Sequence, residues 1–373
     1  MRPVAVSNPP NPWTSTAVEY LEGASPEMRI EVFEDHSRTI LARNDSPDVG
    51  FTYSVNPYRG CFHACAYCYA RPGHEYLGFG AGTDFERRIV VKPDAPALLR
   101  KAFRQKSWRH ETVVMSGVTD CYQPLEASYR LTRGCLEVCA AERNPVGIIT
   151  KAPLIERDID LLRSIARVAS LQVIVSIPFS DPDKARAIEP YVATPARRMR
   201  TIRVLADAGI AVGVNVAPII PGLNDQEIPA VLEAARAAGA SSAAYVLLRL
   251  PGPVASVFEE RVRARMPLAA DRILHRIRGT RGGGLSDARF GVRGRGEGPY
   301  ADMIRSLFVT TSARLGLTTH RSATGMATFE EGGSKPLAPG QPSSRTLPPP
   351  DHARQLGFEF QTGEIPGGSK PRE

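Results

Sequence analysis

Six short apolar runs, each followed by a stretch with helical periodicity, constrain the fold of this chain more than any other feature. The runs are almost continuous in apolar residues, as strands buried on both faces of a sheet are. Alternating β and α segments imply parallel strands joined by right-handed crossovers. The runs lie at residues 51–56, 111–116, 146–150, 172–177, 211–216 and 243–248.

The segments between the runs carry helix start and stop signals. Thr194 is a suitable N-cap, and Pro195 fits the first helical position, where no N–H donor is needed. Gly209 is a suitable stop for this helix. Asp225 is expected to cap a further helix, which Gly239 ends. Because six βα units are too few to close an eight-stranded barrel, we predict an α/β fold of the open partial (β/α)6 TIM-like type.

Shifts in composition predict the domain boundaries. Residues 1–46 are proline-rich and form a predicted N-terminal extension, and the partial-barrel core follows at 47–250. A Leu-Pro-Gly-Pro sequence ends the core, and residues 251–320 are expected to be mainly helical and strongly basic. Residues 321–373 are rich in Gly, Pro and Ser, which is typical of a disordered tail.

Cys61, Cys65 and Cys68 lie within eight residues, directly after the first predicted strand, and define what we call the cysteine loop, residues 61–68. Three sulfurs on one short loop can converge on one inorganic centre. A four-iron cluster offers four corners for thiolates, so three cysteines leave one iron open to a small molecule. In α/β folds active sites gather at the carboxyl ends of the strands, where this loop begins.

Two other interpretations of these cysteines stay open from the residues alone. Cysteines are often buried as small apolar side chains, although the loop is short and partly polar. A zinc site is the other alternative, with His63 or His74 as a fourth ligand. Cys135 and Cys139 are four residues apart on a helix expected to begin near Thr132, so we predict that they face the core.

The cysteine loop, with an aromatic residue just before its third cysteine, resembles the signature of the radical S-adenosylmethionine (SAM) enzymes. Residues 56–61, 67–71, 194–198 and 217–225 resemble the branch of that superfamily related to spore photoproduct lyase. The resemblance runs from about residue 38 to about residue 317. It implies a [4Fe-4S] cluster and SAM as cofactors, with the cluster held by Cys61, Cys65 and Cys68. It also implies reductive cleavage of SAM to a 5′-deoxyadenosyl radical that abstracts hydrogen from a substrate.

The same resemblance implies which residues bind SAM. Thr119 and Asp120 follow the second strand, at the place of the family's amino-group motif, and are expected to accept hydrogen bonds from the SAM ammonium. Lys151, after the third strand, is the expected counter-ion of the SAM carboxylate. Ser176, at the end of the fourth strand, is expected to reach the ribose, and Tyr67 to pack beside the adenine.

One departure from the resembling branch concerns the hydrogen donor. The lyase returns a hydrogen atom to its product from a cysteine in a Cys-Thr-Ser-Asp stretch after the second strand. The matching residues here are Gly117, Val118, Thr119 and Asp120, so glycine stands at the donor position. Cys121 is therefore a candidate for a shifted donor.

Tyr122, the next residue, is a candidate relay for the donated hydrogen atom. Together with Cys121 it completes the pair of predicted catalytic residues.

Charge and hydropathy bear on partners and location. The formal net charge is +8, which is compatible with a nucleic-acid partner. No apolar run approaches the roughly 20 residues of a membrane span, and no signal peptide is visible, so we expect a cytoplasmic protein without a membrane partner. The resemblance further implies a reducing electron donor of the flavodoxin or ferredoxin type.

The sequence leaves the substrate open. A DNA photoproduct is the first candidate, in a lyase-like repair reaction. The alternatives are radical SAM modification of a protein, an RNA or a small metabolite, or a non-catalytic zinc or iron–sulfur binding module. The oligomeric state is not predicted.

Overall fold

The computed structural model describes residues 4–6 and 30–319, which form two β-sheets and a set of surrounding helices. All six predicted apolar runs are strands, and they differ from the prediction only at their ends. In chain order the strands are β1 (Val4–Val6), β2 (Glu31–Glu34), β3 (Leu41–Arg43), β4 (Tyr53–Val55), β5 (Tyr58–Arg59), β6 (Arg88–Val91), β7 (Val113–Met115), β8 (Val146–Thr150), β9 (Leu171–Ser176), β10 (Val212–Ile219), β11 (Ser242–Leu247) and β12 (Thr318–Thr319).

The larger sheet is an open partial barrel. Strands β4, β7, β8, β9, β10 and β11 are parallel neighbours in chain order. The edge strand β3 is antiparallel to β4, and β12 is parallel to β11 at the other edge. Within the described residues no backbone pairing joins β3 to β12, so the sheet does not close. The predicted α/β partial barrel is confirmed, with two edge strands added to it.

Helices follow the strands and cover the outer face of the sheet. Thr194 caps its helix as predicted, because its side chain accepts a hydrogen bond from the backbone N–H of Arg197. The α-helices are α1 (Thr83–Arg87), α2 (Ala95–Phe103), α3 (Glu126–Tyr129), α4 (Leu131–Ala141), α5 (Ile159–Val168), α6 (Pro182–Ile188), α7 (Pro195–Asp207), α8 (Ile228–Ala237), α9 (Val254–Arg265), α10 (Pro267–Gly279) and α11 (Pro299–Arg314), with 3-10 turns at Arg71–Leu77, Pro153–Asp158 and Asp225–Glu227.

The expectation that Asp225 caps a helix is wrong. A 3-10 turn separates this residue from α8, which begins only at Ile228. The Asp225 carboxylate instead accepts a hydrogen bond from the backbone N–H of Gly222, at 2.7 Å, and one from the hydroxyl of Tyr300, also at 2.7 Å. It therefore closes the turn before the helix and fastens that turn to α11.

Alternate residues of each strand serve the two faces of the sheet, as the pleat requires. On the outer face, Val113 and Met115 of β7 pack in the large apolar core beneath the helices. On the inner face, Val114 packs with Ile174 and Ala244 across the barrel. The inner cluster forms an apolar floor below the carboxyl ends of the strands.

The smaller sheet has the order β1-β2-β6-β5 and lies next to the cysteine loop in the chain. Its strand β2 falls within residues 1–46, as does β3 of the larger sheet, so this predicted extension contributes strands to both sheets. Strand β6, which lies between the first two barrel strands in the chain, is not among the predicted strands. The predicted tail at 321–373 lies outside the described residues.

Candidate active site

The cysteine loop leaves β5 at the carboxyl end of the barrel strands. Cys61 and Cys65 are buried, Cys68 is partly buried, and none of the three takes part in a disulfide. Burial, followed by the charge of Asp120 and of the other two cysteines, raises the pKa of the Cys61 thiol. Burial raises the pKa of Cys65 to about 12, although Lys151 opposes the shift. Because iron binds the thiolate form, a bound cluster would supply the positive charge that compensates thiolates at these buried positions.

No group of three or more His, Cys, Asp or Glu side chains in the described part of the chain surrounds a single ion position. A tetrahedral zinc ion needs its ligands at one point. Each thiolate of a four-iron cluster binds a different iron atom, so the cysteines of such a cluster stay further apart.

Arg71, three residues after the last of these cysteines, holds the loop from inside the protein. Its guanidinium is fully buried and donates hydrogen bonds to the carbonyl oxygens of Cys65, at 2.9 Å, and of Ala81 and Gly82, at 2.9 Å each. It also donates to the carboxylate of Glu86 at 2.6 Å. The rigid fork of five donors thus fixes the loop against the turn that precedes α1.

The start of the loop is fixed by Gln123 and by close packing at Gly60. The amide of Gln123 donates to the carbonyl oxygen of Gly60 at 3.1 Å and accepts from the backbone N–H of Phe62 at 3.2 Å. Gly60 has φ of +77°, and a Cβ atom there would lie 3.0 Å from the backbone oxygen of Phe85. Only glycine fits this turn without strain.

Tyr67 connects the loop to a buried ion pair. Its hydroxyl donates to Glu189, and Glu189 forms a salt bridge of 2.6 Å with Arg198. The Lys151 ammonium lies 5.8 Å from the centre of the Tyr67 ring. Burial acts to lower the pKa of Lys151, but nearby negative charge, chiefly that of Cys65 and Glu189, raises it. The predicted Tyr67 and Lys151 thus lie together beside the cysteines.

Asp120 joins the loop to the ends of two strands. Its carboxylate accepts hydrogen bonds from the backbone N–H groups of Tyr122, at 3.0 Å, and Lys151, at 2.8 Å, and from the hydroxyl of Thr150 at 2.7 Å. It also lies 3.5 Å from Nδ1 of His63 in the cysteine loop. A carboxylate accepts about four hydrogen bonds, so most of its capacity is used within the protein.

Thr119 and Ser176 are buried, and their hydrogen bonds hold the backbone of the site. The Thr119 hydroxyl donates to the carbonyl oxygen of Tyr58 at 3.0 Å. The carbonyl of Ser176 accepts from Arg198 at 3.0 Å, and the strand register places Ser176 beside Asn215. Oδ1 of Asn215 is buried without a hydrogen-bond partner in the described residues. An unsatisfied buried acceptor above the apolar floor is suited to a donor on a bound ligand.

Gly117 stands at the donor position of the resembling branch, and its surroundings leave no space for a side chain. A Cβ atom there would lie 2.8 Å from Cβ and 2.9 Å from Oγ of Ser54. Asn56 holds this arrangement, because its amide donates to Ser54 Oγ at 3.2 Å and accepts from the backbone N–H of Val118 at 2.8 Å. The preceding Ser116 has a left-handed φ of +78°, which is a strained backbone for serine.

The structure does not bring Cys121 and Tyr122 to the cysteine loop's thiols. Cys121 is buried in the outer core with Cys135, between sheet and helices, and burial raises the pKa of its thiol. The Tyr122 hydroxyl donates to Asp158 at 3.1 Å. Their catalytic roles therefore stay predictions without a supporting contact. Cys135 and Cys139 pack in the outer core.

Several residues that support the loop have no role in the sequence analysis, notably Arg71, Gln123, Glu189 and Arg198. Buried arginine and glutamine side chains that bind backbone carbonyls leave no pattern in a sequence, because the carbonyl positions are set by the fold. The one available signal is that Arg71 and Arg198 lie inside motifs that carry the family resemblance.

A separate cavity lies at the opposite edge of the barrel, at the amino-terminal ends of the strands. Its lining includes Thr112, Ser170, Ser241 and Thr318. It is therefore not part of the site around the cysteine loop. No helix in the described residues has the length and apolar character needed to cross a membrane.

Comparison with known proteins identifies a family for the site. Residues 55–235 match the family model of the Radical SAM superfamily. An uncharacterized protein of Mycobacterium tuberculosis is 42% identical over 204 residues, which are 54% of this chain and 60% of that protein. The chain thus spans about 60% of the length of this relative. An uncharacterized protein of Methanocaldococcus jannaschii is 32% identical over 200 residues, 53% of this chain and 71% of that protein.

A solved structure has a similar fold. A variant of spore photoproduct lyase aligns with a TM-score of 0.54 and 17% identity, covering 77% of this chain and 81% of its own. At this identity the likeness concerns the fold of the barrel.

Proposed function

This chain belongs to the radical SAM superfamily, and on that premise we propose that it reductively cleaves SAM to a 5′-deoxyadenosyl radical that abstracts hydrogen from a substrate. The superfamily's cofactors are a [4Fe-4S] cluster and SAM. The observation that carries the proposal is the set of free cysteines Cys61, Cys65 and Cys68, which are close in sequence and lie at the carboxyl end of the six parallel barrel strands.

We assign the cluster to these three cysteines and the binding of SAM to the residues around them. Lys151 provides positive charge next to Cys65, which favours both a thiolate and a carboxylate ligand. Tyr67 offers its ring face beside this ammonium. Asp120 orients the backbone of Lys151 and retains limited capacity for one further donor. These side chains order the site before any ligand arrives.

The remaining residues of the predicted SAM site have lesser roles in the proposal. Ser176 and Asn215 lie side by side on neighbouring strands, and the free Oδ1 of Asn215 can accept a hydrogen bond from a ligand hydroxyl or amino group. The hydroxyl of Thr119 is engaged with Tyr58, so its proposed role is to hold the strand end that presents Asp120.

A DNA photoproduct is the proposed substrate, and the net charge of +8 supports a polyanionic partner. The absence of a donor cysteine at Gly117 favours a second candidate, the modification of a protein, an RNA or a small metabolite without hydrogen return from that position. For either reaction we propose a flavodoxin- or ferredoxin-type electron donor. The reducing cytoplasm is the proposed location, because it keeps six free cysteines reduced.

Anaerobic reconstitution tests the cofactor assignment. We expect iron and sulfide in the protein, an iron–sulfur absorbance band, and 5′-deoxyadenosine after addition of dithionite and SAM. Cys68→Ala should lose the cluster and the product, whereas the matched variant Cys139→Ala, in the outer core, should keep both. Zinc without iron, and no 5′-deoxyadenosine, would overturn the proposed enzyme in favour of a binding module.

Binding to DNA tests the substrate class. Ultraviolet-irradiated and untreated duplexes are titrated across a salt series, and a nucleic-acid substrate should show affinity that falls steeply with salt. Preference for irradiated DNA, with dimer loss in the presence of SAM and dithionite, would support the photoproduct. Equal and negligible binding to both duplexes would favour the second candidate.

A further inference from the structure

Arg249 follows β11 and lies at the carboxyl end of the barrel, on the same edge as the cysteine loop. It is close enough to Tyr69, the residue directly after that loop, for each to affect the pKa of the other. The Tyr69 hydroxyl donates to the carbonyl oxygen of Gly117 at 2.8 Å. Arg249 therefore lies in the wall of the barrel opening, near Gly117, where no side chain fits.

Three guanidiniums lie near one another at this wall, and two of them bind groups of the protein. Arg293 forms a buried ion pair with Asp48. Arg281 donates to the carbonyl oxygens at the end of β11, including that of Leu247 at 3.3 Å. These two arginines fasten the segment after α10 to the barrel.

Arg249 differs from both, because no hydrogen bond or ion pair joins it to any residue in the part of the chain that the structure describes. Burial, and then the nearby charge of Arg293, lowers its pKa to about 10, with Tyr69 and Asp48 opposing the shift. It is still a cation at neutral pH. A partly buried cation without a partner loses hydration and gains no ion pair in return, so its retention at this edge needs another explanation than stability.

We propose that Arg249 binds a phosphate group of the substrate. A guanidinium presents planar paired donors that match an oxyanion, and the bond is strengthened where water is partly excluded. Among oxyanions we choose phosphate, because it is the one that the proposed polyanionic substrate supplies and because the guanidiniums of Arg281 and Arg293 lie near Arg249. The inference deepens the proposed function and rests on it, since it concerns the substrate side of the same opening.

The test measures phosphate binding without turnover. The reconstituted protein, saturated with SAM, is titrated with inorganic phosphate at constant ionic strength and followed by phosphorus NMR. We expect the dissociation constant to rise about tenfold or more in Arg249→Gln. Arg249→Lys should retain part of the affinity, and the matched exposed variant Arg163→Gln should bind like the wild type.

Two further measurements decide between the outcomes. Acetate, titrated in the same way, distinguishes a general carboxylate site from a phosphate site, and tighter binding of acetate than of phosphate overturns the proposal. The dissociation constant of SAM should be unchanged in Arg249→Gln. If SAM binding weakens while phosphate binding does not, Arg249 holds the SAM carboxylate and the proposal is wrong.

Stability separates a ligand-binding arginine from a structural one. Arg249→Gln should leave the thermal midpoint unchanged or higher, whereas Arg293→Gln should lower it. A marked loss of stability in Arg249→Gln, with phosphate affinity retained by the folded fraction, would also contradict the proposal. Because the phosphate titration needs no SAM cleavage, a protein that makes no 5′-deoxyadenosine but binds phosphate through Arg249 would refute the proposed function alone.

Discussion

Gly117 and Ser54 are in contact across β4 and β7, and this contact decides what position 117 can carry. The nearest side-chain atom is 2.8 Å from where a Cβ would be, well inside normal carbon–carbon contact. The glycine is thus matched to its neighbour and is not simply a missing cysteine. The sequence showed that the residue departs from the resembling branch, but only the packing explains why.

Replacing Gly117 with cysteine should destabilise the protein by about 1–3 kcal/mol, because the new side chain overpacks a buried contact. Urea unfolding measures the loss. The control Gly279→Cys adds the same side chain where nothing lies within 4 Å and should have a much smaller effect. Ser54→Gly in the Gly117→Cys background should recover most of the stability; no recovery would mean that Ser54 is not the obstacle.

His74 gives the protein a predictable response to acid. It is packed against Phe85, with ring centres 5.5 Å apart, and burial lowers its pKa from 6.5 to about 4. The unfolded chain therefore takes up a proton first, and the free energy of unfolding should fall as pH drops from about 6.5 to 4, by no more than about 3 kcal/mol. In His74→Gln this part of the pH dependence should vanish, and an unchanged difference in stability between pH 7 and 4.5 would contradict the assignment.

At the scale of elements, the cysteine loop depends on a neighbouring element for its shape. The 3-10 turn that begins at Arg71 supplies the guanidinium that binds the loop's carbonyl groups, and Glu86 at the end of α1 binds this guanidinium in turn. Arg261 of α9 contacts the same Glu86 at 2.7 Å. The loop, the small sheet region and the C-terminal helices are thereby joined through one carboxylate.

Arg71→Lys should lower the iron bound per chain at least twofold after reconstitution, because a single ammonium cannot reach the separate carbonyl groups that the guanidinium binds. Iron content and unfolding free energy are both measured. The exposed control Arg87→Lys should match the wild type. Wild-type iron content in the Arg71 variant would show that the loop keeps its shape without the hydrogen bonds of this guanidinium.

The elements differ in how far the sequence predicts them. The barrel strands are predictable because burial on both faces demands apolar runs, and β8 matches its predicted bounds, Val146–Thr150. Strand β6 is also apolar but pairs within a separate sheet, where order along the chain gives no guide to its partner. The cysteines of the site are identified by their spacing. Arg71 and Arg249 could not be assigned, because their importance depends on carbonyl groups and charges that only the fold brings near.

On the scale of the whole molecule, residues far apart in sequence complete the barrel opening. Arg293 and Asp48 are both buried and form their ion pair across 245 positions of sequence. Asp48 also accepts the backbone N–H of Gly291 at 2.8 Å. The segment before the first barrel strand and the segment after α10 are thus tied to each other.

Arg293→Gln should destabilise the protein by about 3–5 kcal/mol, because it leaves the Asp48 carboxylate buried without its cation. The double variant Asp48→Asn with Arg293→Gln should be more stable than the single one, since no uncompensated charge remains. Both are measured by urea unfolding. Additive losses in the double variant would show that the two residues act independently.

The open sheet has a consequence for how such an enzyme changes its substrate range. The circumference of a closed barrel is fixed by its strand number and stagger. Here, within the described residues, the two edge strands β3 and β12 are not paired with each other, and the Arg293–Asp48 ion pair joins the segment before β4 to the segment after α10. We therefore expect such a sheet to adapt to a larger or smaller substrate through side-chain substitutions between its two edges, while the backbone hydrogen bonds between its strands stay in register.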